Sequence, residues 1–354
     1  MLAEGDVMAE VSGESLPSQP LVTVVVAVYN VRGYVEGCIQ SLLVQTYPSL
    51  EIMLVDDGST DGSGEVCDQY AASDARVSVI HKKNGGLSDA RNRGTEEASG
   101  EFVVYVDGDD VVSPCYVEAL AEPLIGGMAE LSVCSLAVVP SAESYFVRNS
   151  AVCRASSCYE VYSSHEALRR ALLGGSLDIS ACGKLTKRDR WLAHPFPVGR
   201  VYEDLATIPA LIGDVDKVAF SEKGLYGQVA RQGSITRTAA ITPRQFEDYW
   251  QAICSVEASC GLVEDVDVRR ALEVRKLVTY SRMKHVYHSI GEKNDEVWAI
   301  YHELDGRLRE GACSVLRVGG TSLKTKVNVL LAAYAPAIHA LAFNLLQFLK
   351  GVGR

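Results

Sequence analysis

The chain has 354 residues, 47% hydrophobic and 22% charged, which suits one large folded unit with a smaller one or an extension. Its formal net charge of -11 argues against a nucleic-acid partner, because holding phosphates takes clustered Lys and Arg. The ten cysteines include no Cys-x-x-Cys pair and no zinc-spaced Cys/His cluster. Cys38, Cys67, Cys115, Cys134 and Cys182 therefore read as reduced core residues of a cytosolic protein.

In chain order, residues 1–20 are acidic, contain Gly, Ser and Pro, and lack an apolar core; they read as a disordered tail and not a signal peptide. Residues 21–28 are β-branched enough for a strand buried on both faces. Tyr34, Val35, Cys38, Ile39, Leu42 and Leu43 then recur at helical spacing, and Tyr47-Pro48 stops that helix. Strands at 51–55, 77–81 and 101–106 alternate with helices at 62–72 and 87–98. This alternation predicts a parallel sheet with right-handed crossovers, whose ligands bind outside the carboxyl ends of the strands. No Gly-x-Gly-x-x-Gly or P-loop follows the first strand. Beyond Pro114 the pattern loosens: a strand at 131–139, a variable excursion at 140–160, helices at 165–173 and 202–212, and short strands at 215–221 and 224–229. From Pro243 onward the chain reads as helical, with Trp250, Ile253, Val256, Leu272, Val274, Leu277 and Val278 as core candidates.

Two of the predicted strands end in acid. The run Phe102-Val-Val-Tyr-Val-Asp-Gly-Asp-Asp110 closes on three carboxylates, and alternation puts Asp107 and Asp109 on one side. Acids this close repel unless a cation sits among them, and hard oxygen donors suit Mg²⁺ or Mn²⁺. The second acidic turn is Asp56-Asp57-Gly-Ser-Thr-Asp61. Together they suggest a metal-assisted site for a nucleotide or phosphate substrate. Tyr29 can stack on a flat base, Asp57 can accept the imide N–H of uracil, and Asp56 suits a structural turn or a ribose contact. Arg91 can reach a nucleotide or its phosphates, or form a surface ion pair.

The order of these signals resembles the inverting nucleotide-sugar glycosyltransferases of family 2. The matching stretches are Val22 to Asn30, Cys38 to Tyr47, Val55 to Gly62, Asn84 to Gly94, the DGDD turn, Gly183 to Arg188, Tyr202 to Leu205 and Arg231 to Ile235. The resemblance implies an α/β GT-A fold, a Rossmann-like, mostly parallel sheet at 21–240; the helical pattern gives a C-terminal region at 241–322, and 323–354 reads as a membrane-associating helix. It also implies a UDP-sugar donor, a glycan or polyprenyl-linked saccharide acceptor, and a place in capsule, exopolysaccharide or O-antigen synthesis. By the same resemblance, Asp109 ligates Mn²⁺ or Mg²⁺, Asp107 holds ribose or metal-bound water, and Asp204 is the catalytic base. Ala27 stands in the base pocket where the family usually has Pro, and Arg231 and Ser234 close over the diphosphate. A sugar-nucleotide nucleotidylyltransferase would need a Gly-rich basic loop after the first strand, which is missing. A non-catalytic nucleotide-sugar-binding protein would have no need of Asp57, Asp107, Asp109 and Asp204 together.

Residues 327–349 contain no Asp, Glu, Lys or Arg, while Lys324, Lys326, Lys350 and Arg354 flank them. Asn328, Pro336, His339, Asn344 and Gln347 make the stretch too polar and broken for a span. It reads either as an interfacial helix on the inner membrane surface, giving a cytoplasmic, peripheral enzyme, or as a core helix.

Overall fold

Apolar, β-branched-rich runs form the parallel part of the sheet. In chain order the first half comprises β1 (Val22–Val28), α1 (Val35–Leu43), β2 (Leu50–Asp56), α2 (Ser63–Ser73), β3 (Val77–His81), α3 (Leu87–Glu97) and β4 (Phe102–Asp107). This computed structural model describes residues 19–142, 145, 159–175, 177–230 and 241–341. β1 lies in parallel between β2 and β4, with Val28 opposite Asp56 and Ala27 opposite Asp107. Both acidic turns therefore leave the sheet at the same edge, as the alternation predicts.

The second half adds β5 (Val111–Val112), α4 (Tyr116–Ile125), β6 (Leu131–Val139), β7 (Glu160–Ser163), α5 (Ser164–Leu173), β8 (Lys184–Lys187), α6 (Arg188–Ala193), α7 (Glu203–Gly213) and β9 (Lys217–Val229). Among the described residues the sheet runs β3-β2-β1-β4-β8-β6-β9-β5, with β7 paired to β9. The strands expected at 215–221 and 224–229 are one strand. β9 stays continuous by shifting its register opposite Cys134, Ser135 and Leu136, so the polar interruption at Glu222 and Lys223 bends it without ending it. The short strands β5, β7 and β8, and α4 with Pro123 inside it, carry no periodicity strong enough to be read beforehand.

After these come α8 (Pro243–Cys260), α9 (Val266–Tyr287), α10 (Asp295–Gly311), a 3-10 turn (Ala312–Arg317) and α11 (Leu323–Tyr334), the expected helical region. One face of the sheet (Val22, Val24, Val26, Ile52, Leu54, Val104) packs on α1, α2 and α4. The other (Val25, Val55, Val103, Tyr105) shares a continuous core with α3, α5, α7 and the helices from α8 to α11. α3 lies close against that face: a Cβ at Gly94 would sit 2.3 Å from Val25 Cγ1 and 3.2 Å from Val55 Cγ2, so only glycine fits.

One cysteine departs from expectation. Cys38, Cys67, Cys134 and Cys182 are free and buried, but Cys115 is disulfide-bonded. Apolar flanking residues signal burial, not which thiols the fold brings together, so the sequence gives no warning of it.

Candidate active site

The sheet delivers Asp107 as the last residue of β4, and the turn beyond it sorts three acids into two kinds. Asp110 points inward: Tyr226 O–H donates to its Oδ2 at 2.7 Å and Val229 N–H to its Oδ1 at 2.8 Å. Burial and repulsion from Asp107 and Asp109 push its carboxyl up to about 8. The same Tyr226 hydroxyl accepts the Asp107 N–H at 3.1 Å, so β9 pins the turn from behind. Asp107 and Asp109 keep partial solvent access.

Arg91, on α3, joins that pair to the other half of the site. Its side chain is 2% exposed, and Nη2 donates to Asp107 Oδ1 at 2.9 Å. Nη1 donates to Asp204 Oδ1 at 2.9 Å and to Glu203 Oε1 at 3.2 Å. Its guanidinium also lies 5.2 Å from the Phe196 ring centroid, and Asn92 holds Phe196 by exchanging two amide–backbone hydrogen bonds. Arg91 is thus neither a surface ion pair nor a side chain open to solvent. Its Nε is buried without a hydrogen-bond partner among the described residues, an orphan donor inside the site.

Glu203 and Asp204 open α7. Burial lifts the Asp204 carboxyl above its ordinary range, with Arg91 and the nearby Ala181 backbone pulling the other way and Asp107 adding to the rise. Burial and repulsion from Asp204 push Glu203 up to about 7 against the pull of Arg91. Asp204 is the more accessible of the two, with 26% of its side chain exposed against 13% for Glu203. The residue before them, Tyr202, sits in the left-handed region at φ 65° and ψ 28°. Holding a bulky non-glycine residue there costs on the order of 1–3 kcal/mol, a strain that persists only where surrounding structure enforces it. Among the described residues, Asn30 at φ 50° is the other such non-glycine, and it turns the chain at the end of β1.

At that end Tyr29 is 49% exposed, a flat ring open to a ligand, and Ala27 is partly buried beside Asp107. Asp57 is nearly enclosed: Gly85 N–H donates to Oδ1 at 2.9 Å, Gly86 N–H to Oδ2 at 2.7 Å, and Lys82 pairs with Oδ1. Asp56 closes its own turn through Ser59 N–H and pairs with His81 Nδ1 at 2.9 Å, which makes it structural. Lys82 also reaches Asp89 Oδ2 at 2.6 Å, an organising role the sequence did not suggest. His194 pairs with Asp214, and buried Lys184 with Asp178. Arg231 and Ser234 lie outside the described residues.

The donor chemistry fits a hard divalent cation. Asp107 and Asp109 offer carboxylate oxygens at one turn, while Asp110 is committed inward. Among the described residues no group of three or more His, Cys, Asp or Glu could cage an ion alone. An ion here would need oxygens from a bound phosphate, which is how Mg²⁺ is commonly held.

The sequence matches the family description "Glycosyl transferase family 2" over residues 23–190. It is 34% identical over 286 residues to the glycosyltransferase GlyG of Streptococcus pneumoniae, covering 78% of this chain and 92% of GlyG. It is 35% identical over 227 residues to GlyA of the same organism, covering 61% of this chain but only 31% of that relative. The fold resembles crystal structures of S. aureus TarS 1-349, including the complex with UDP-GlcNAc, at TM-score 0.59, 16% identity and coverage of 94% and 92%. The mostly parallel sheet flanked by helices is a GT-A fold, and the sequence relatives make its class glycosyltransferase. The chain belongs to glycosyl transferase family 2.

Proposed function

We propose that this glycosyltransferase moves a sugar, with inversion at the anomeric carbon, from a UDP-sugar to a hydroxyl of a glycan or polyprenyl-linked saccharide in cell-surface polysaccharide synthesis. The observation that carries this reading is the Arg91 clamp. One guanidinium binds a carboxylate of the donor turn, Asp107, and the carboxylate offered as base, Asp204. Asp204 accepts the acceptor hydroxyl's proton as that oxygen attacks the anomeric carbon, and the bond to the nucleoside diphosphate breaks on the opposite side. A carboxylate with a raised pKa is a stronger base, and Arg91 keeps it ionised. Asp107 and Asp109 would hold Mn²⁺ or Mg²⁺, which when bound neutralises charge on the departing diphosphate. Exposed Tyr29 stacks on the base, Asp57 meets its edge, and Ala27 lines the pocket floor. Support for a uridine nucleotide comes from the TarS complexes with UDP and UDP-GlcNAc.

A second proposal concerns the membrane. Among the described residues no helix is long and apolar enough to cross one. α11 buries Val329, Ala332 and Ala333, and Asn328 bonds to Ser281 and to His339 beyond the break at Ala335. Leu323, Val327, Tyr334, Ile338 and Leu341 remain exposed, beside Lys324 and Lys326. We read this outward stripe as lying on an anionic lipid surface, with the inward side packed as a core helix.

Screening UDP- and GDP-sugars with Mn²⁺ for transfer, and following the product's anomeric proton by NMR, tests the main reading. A retained anomeric configuration, or no transfer from any UDP-sugar, would overturn it.

A further inference from the structure

The start of α7 does not hold itself in place. Its first helical residues carry Glu203 and Asp204, yet the residue before them occupies a conformation that an aromatic side chain avoids. Two explanations exist for strain at such a point: it is incidental, or neighbouring elements impose it so that the following carboxylates face Arg91. The contacts favour the second.

α8 grips the approach to α7 at successive points. Arg244 Nη2 donates to the Gly199 carbonyl at 2.9 Å, and Gly199 is itself at φ 74°. One turn later in α8, buried Asp248 accepts the Val201 N–H at 3.2 Å. Next to it, Tyr249 stacks on Tyr202 with ring centroids 4.1 Å apart and planes inclined by 14°. Arg282 of α9 lies over the Tyr249 ring, 5.9 Å from its centroid. The Tyr202 carbonyl meanwhile accepts the Ala206 N–H at 3.2 Å, so the strained residue also begins the helix. Thr242 and Gln245 close a capping box at the start of α8, which fixes the helix that does the gripping.

We infer that Tyr249, by stacking on Tyr202 under Arg282, is a positioning residue that aims Asp204 at the acceptor. The inference rests on Asp204 being the base, and it gives the helical C-terminal region a part in turnover. Tyr249 touches neither donor nor acceptor in this scheme. It fixes the ring of Tyr202, the ring fixes φ, and φ sets the direction in which α7 begins. If the stack is lost, the segment relaxes and the carboxylate swings away from Arg91, while the nucleotide side on β1, β2 and β4 stays as it was.

The test compares Tyr202→Phe, Tyr202→Gly, Tyr249→Phe and Tyr249→Ala in the full chain, with UDP affinity by calorimetry and kcat and acceptor KM by product formation. Both Phe variants keep the stacked rings and should turn over within about twofold of the parent, the spread expected when geometry is kept. Tyr202→Gly accepts the left-handed backbone but frees the segment, and Tyr249→Ala removes the platform. Each should lose kcat roughly 10- to 100-fold, the scale of a small misplacement, with UDP affinity unchanged. Should Tyr249→Ala fail to fold, Tyr202→Gly, which removes a half-buried ring, carries the test. Parental kcat in Tyr202→Gly overturns the inference, as does an equal loss in Tyr202→Phe, which would put the hydroxyl and not the stack at work. Asp204→Asn is measured alongside. If it stays active, the base assignment is what fails; if it is inactive while Tyr202→Gly is fully active, the positioning inference alone fails.

Discussion

The end of β4, beside those of β1 and β2, meets the helix start of α7 in one ion-pair network through Arg91, but the chain builds the two sides differently. The strand ends begin locally, as a buried β-branched run and a short acidic turn that Ser59 N–H closes on Asp56, although Asp57 and Asp110 take their partners from Gly85, Gly86 and β9. The start of α7 depends on distant partners, with Arg91 in front of it and α8 and α9 behind. A strand end in a parallel sheet has few ways to point, so the direction of each acidic turn follows from the run before it. The carboxylates that open α7 have no such frame, and need tertiary contacts to hold them. Arg91 couples the two.

Removing that coupling should have the largest effect. Arg91→Met leaves Asp107, Glu203 and Asp204 without their shared cation, and breaking a buried ion pair by deleting one partner costs roughly 3–5 kcal/mol. Urea unfolding should show the loss, smaller at acidic pH where the carboxylates take up protons; parental stability at neutral pH would mean the halves hold together without the clamp. Asp204→Asn should spare donor binding and lower turnover by about 10²-fold or more. Near-normal turnover would move the base to Glu203.

On the donor side alone, Asp109→Ala should abolish the Mn²⁺-dependent part of UDP affinity while leaving acceptor binding intact. Calorimetry giving equal affinities with EDTA and with Mn²⁺ would refute the metal assignment. The pH profile separates the halves more finely. Asp204 must be ionised to act, so kcat/KM should fall as pH drops through its raised pKa and level off above it. An acid limb at the unperturbed aspartate value of about 3.9 would show that the base is solvated. The smallest effect belongs to the periphery. Deleting residues 323–354 should reduce binding to anionic vesicles, with Lys324 and Lys326 worth about 1 kcal/mol each and sensitive to salt. Loss of UDP binding in that variant would mean that the packed inward side of α11 is needed for folding and would leave the outward stripe without a separate role.

This contrast also explains what could be read beforehand. The parallel order of β1 to β4 and the meeting of both acidic turns follow from runs such as Val22–Val28, where the hydrophobic pattern leaves little choice. Asp110 looks identical to Asp107 and Asp109 in sequence. It becomes a buried acid only because Tyr226, remote in the chain, reaches it. Likewise nothing near Arg91 announces that Glu203 and Asp204 will close on it, and nothing near Tyr202 announces Tyr249. The disulfide at Cys115 escaped notice for the same reason.

Gly94 puts a size limit on this machinery. α3 can sit against Val25 and Val55 only because nothing projects from that position, and Arg91 lies one turn earlier on the same helix. The thickness of a single missing methyl group therefore acts as a depth gauge for the guanidinium. A side chain at 94 would lift the helix and draw Arg91 back from donor turn and base together.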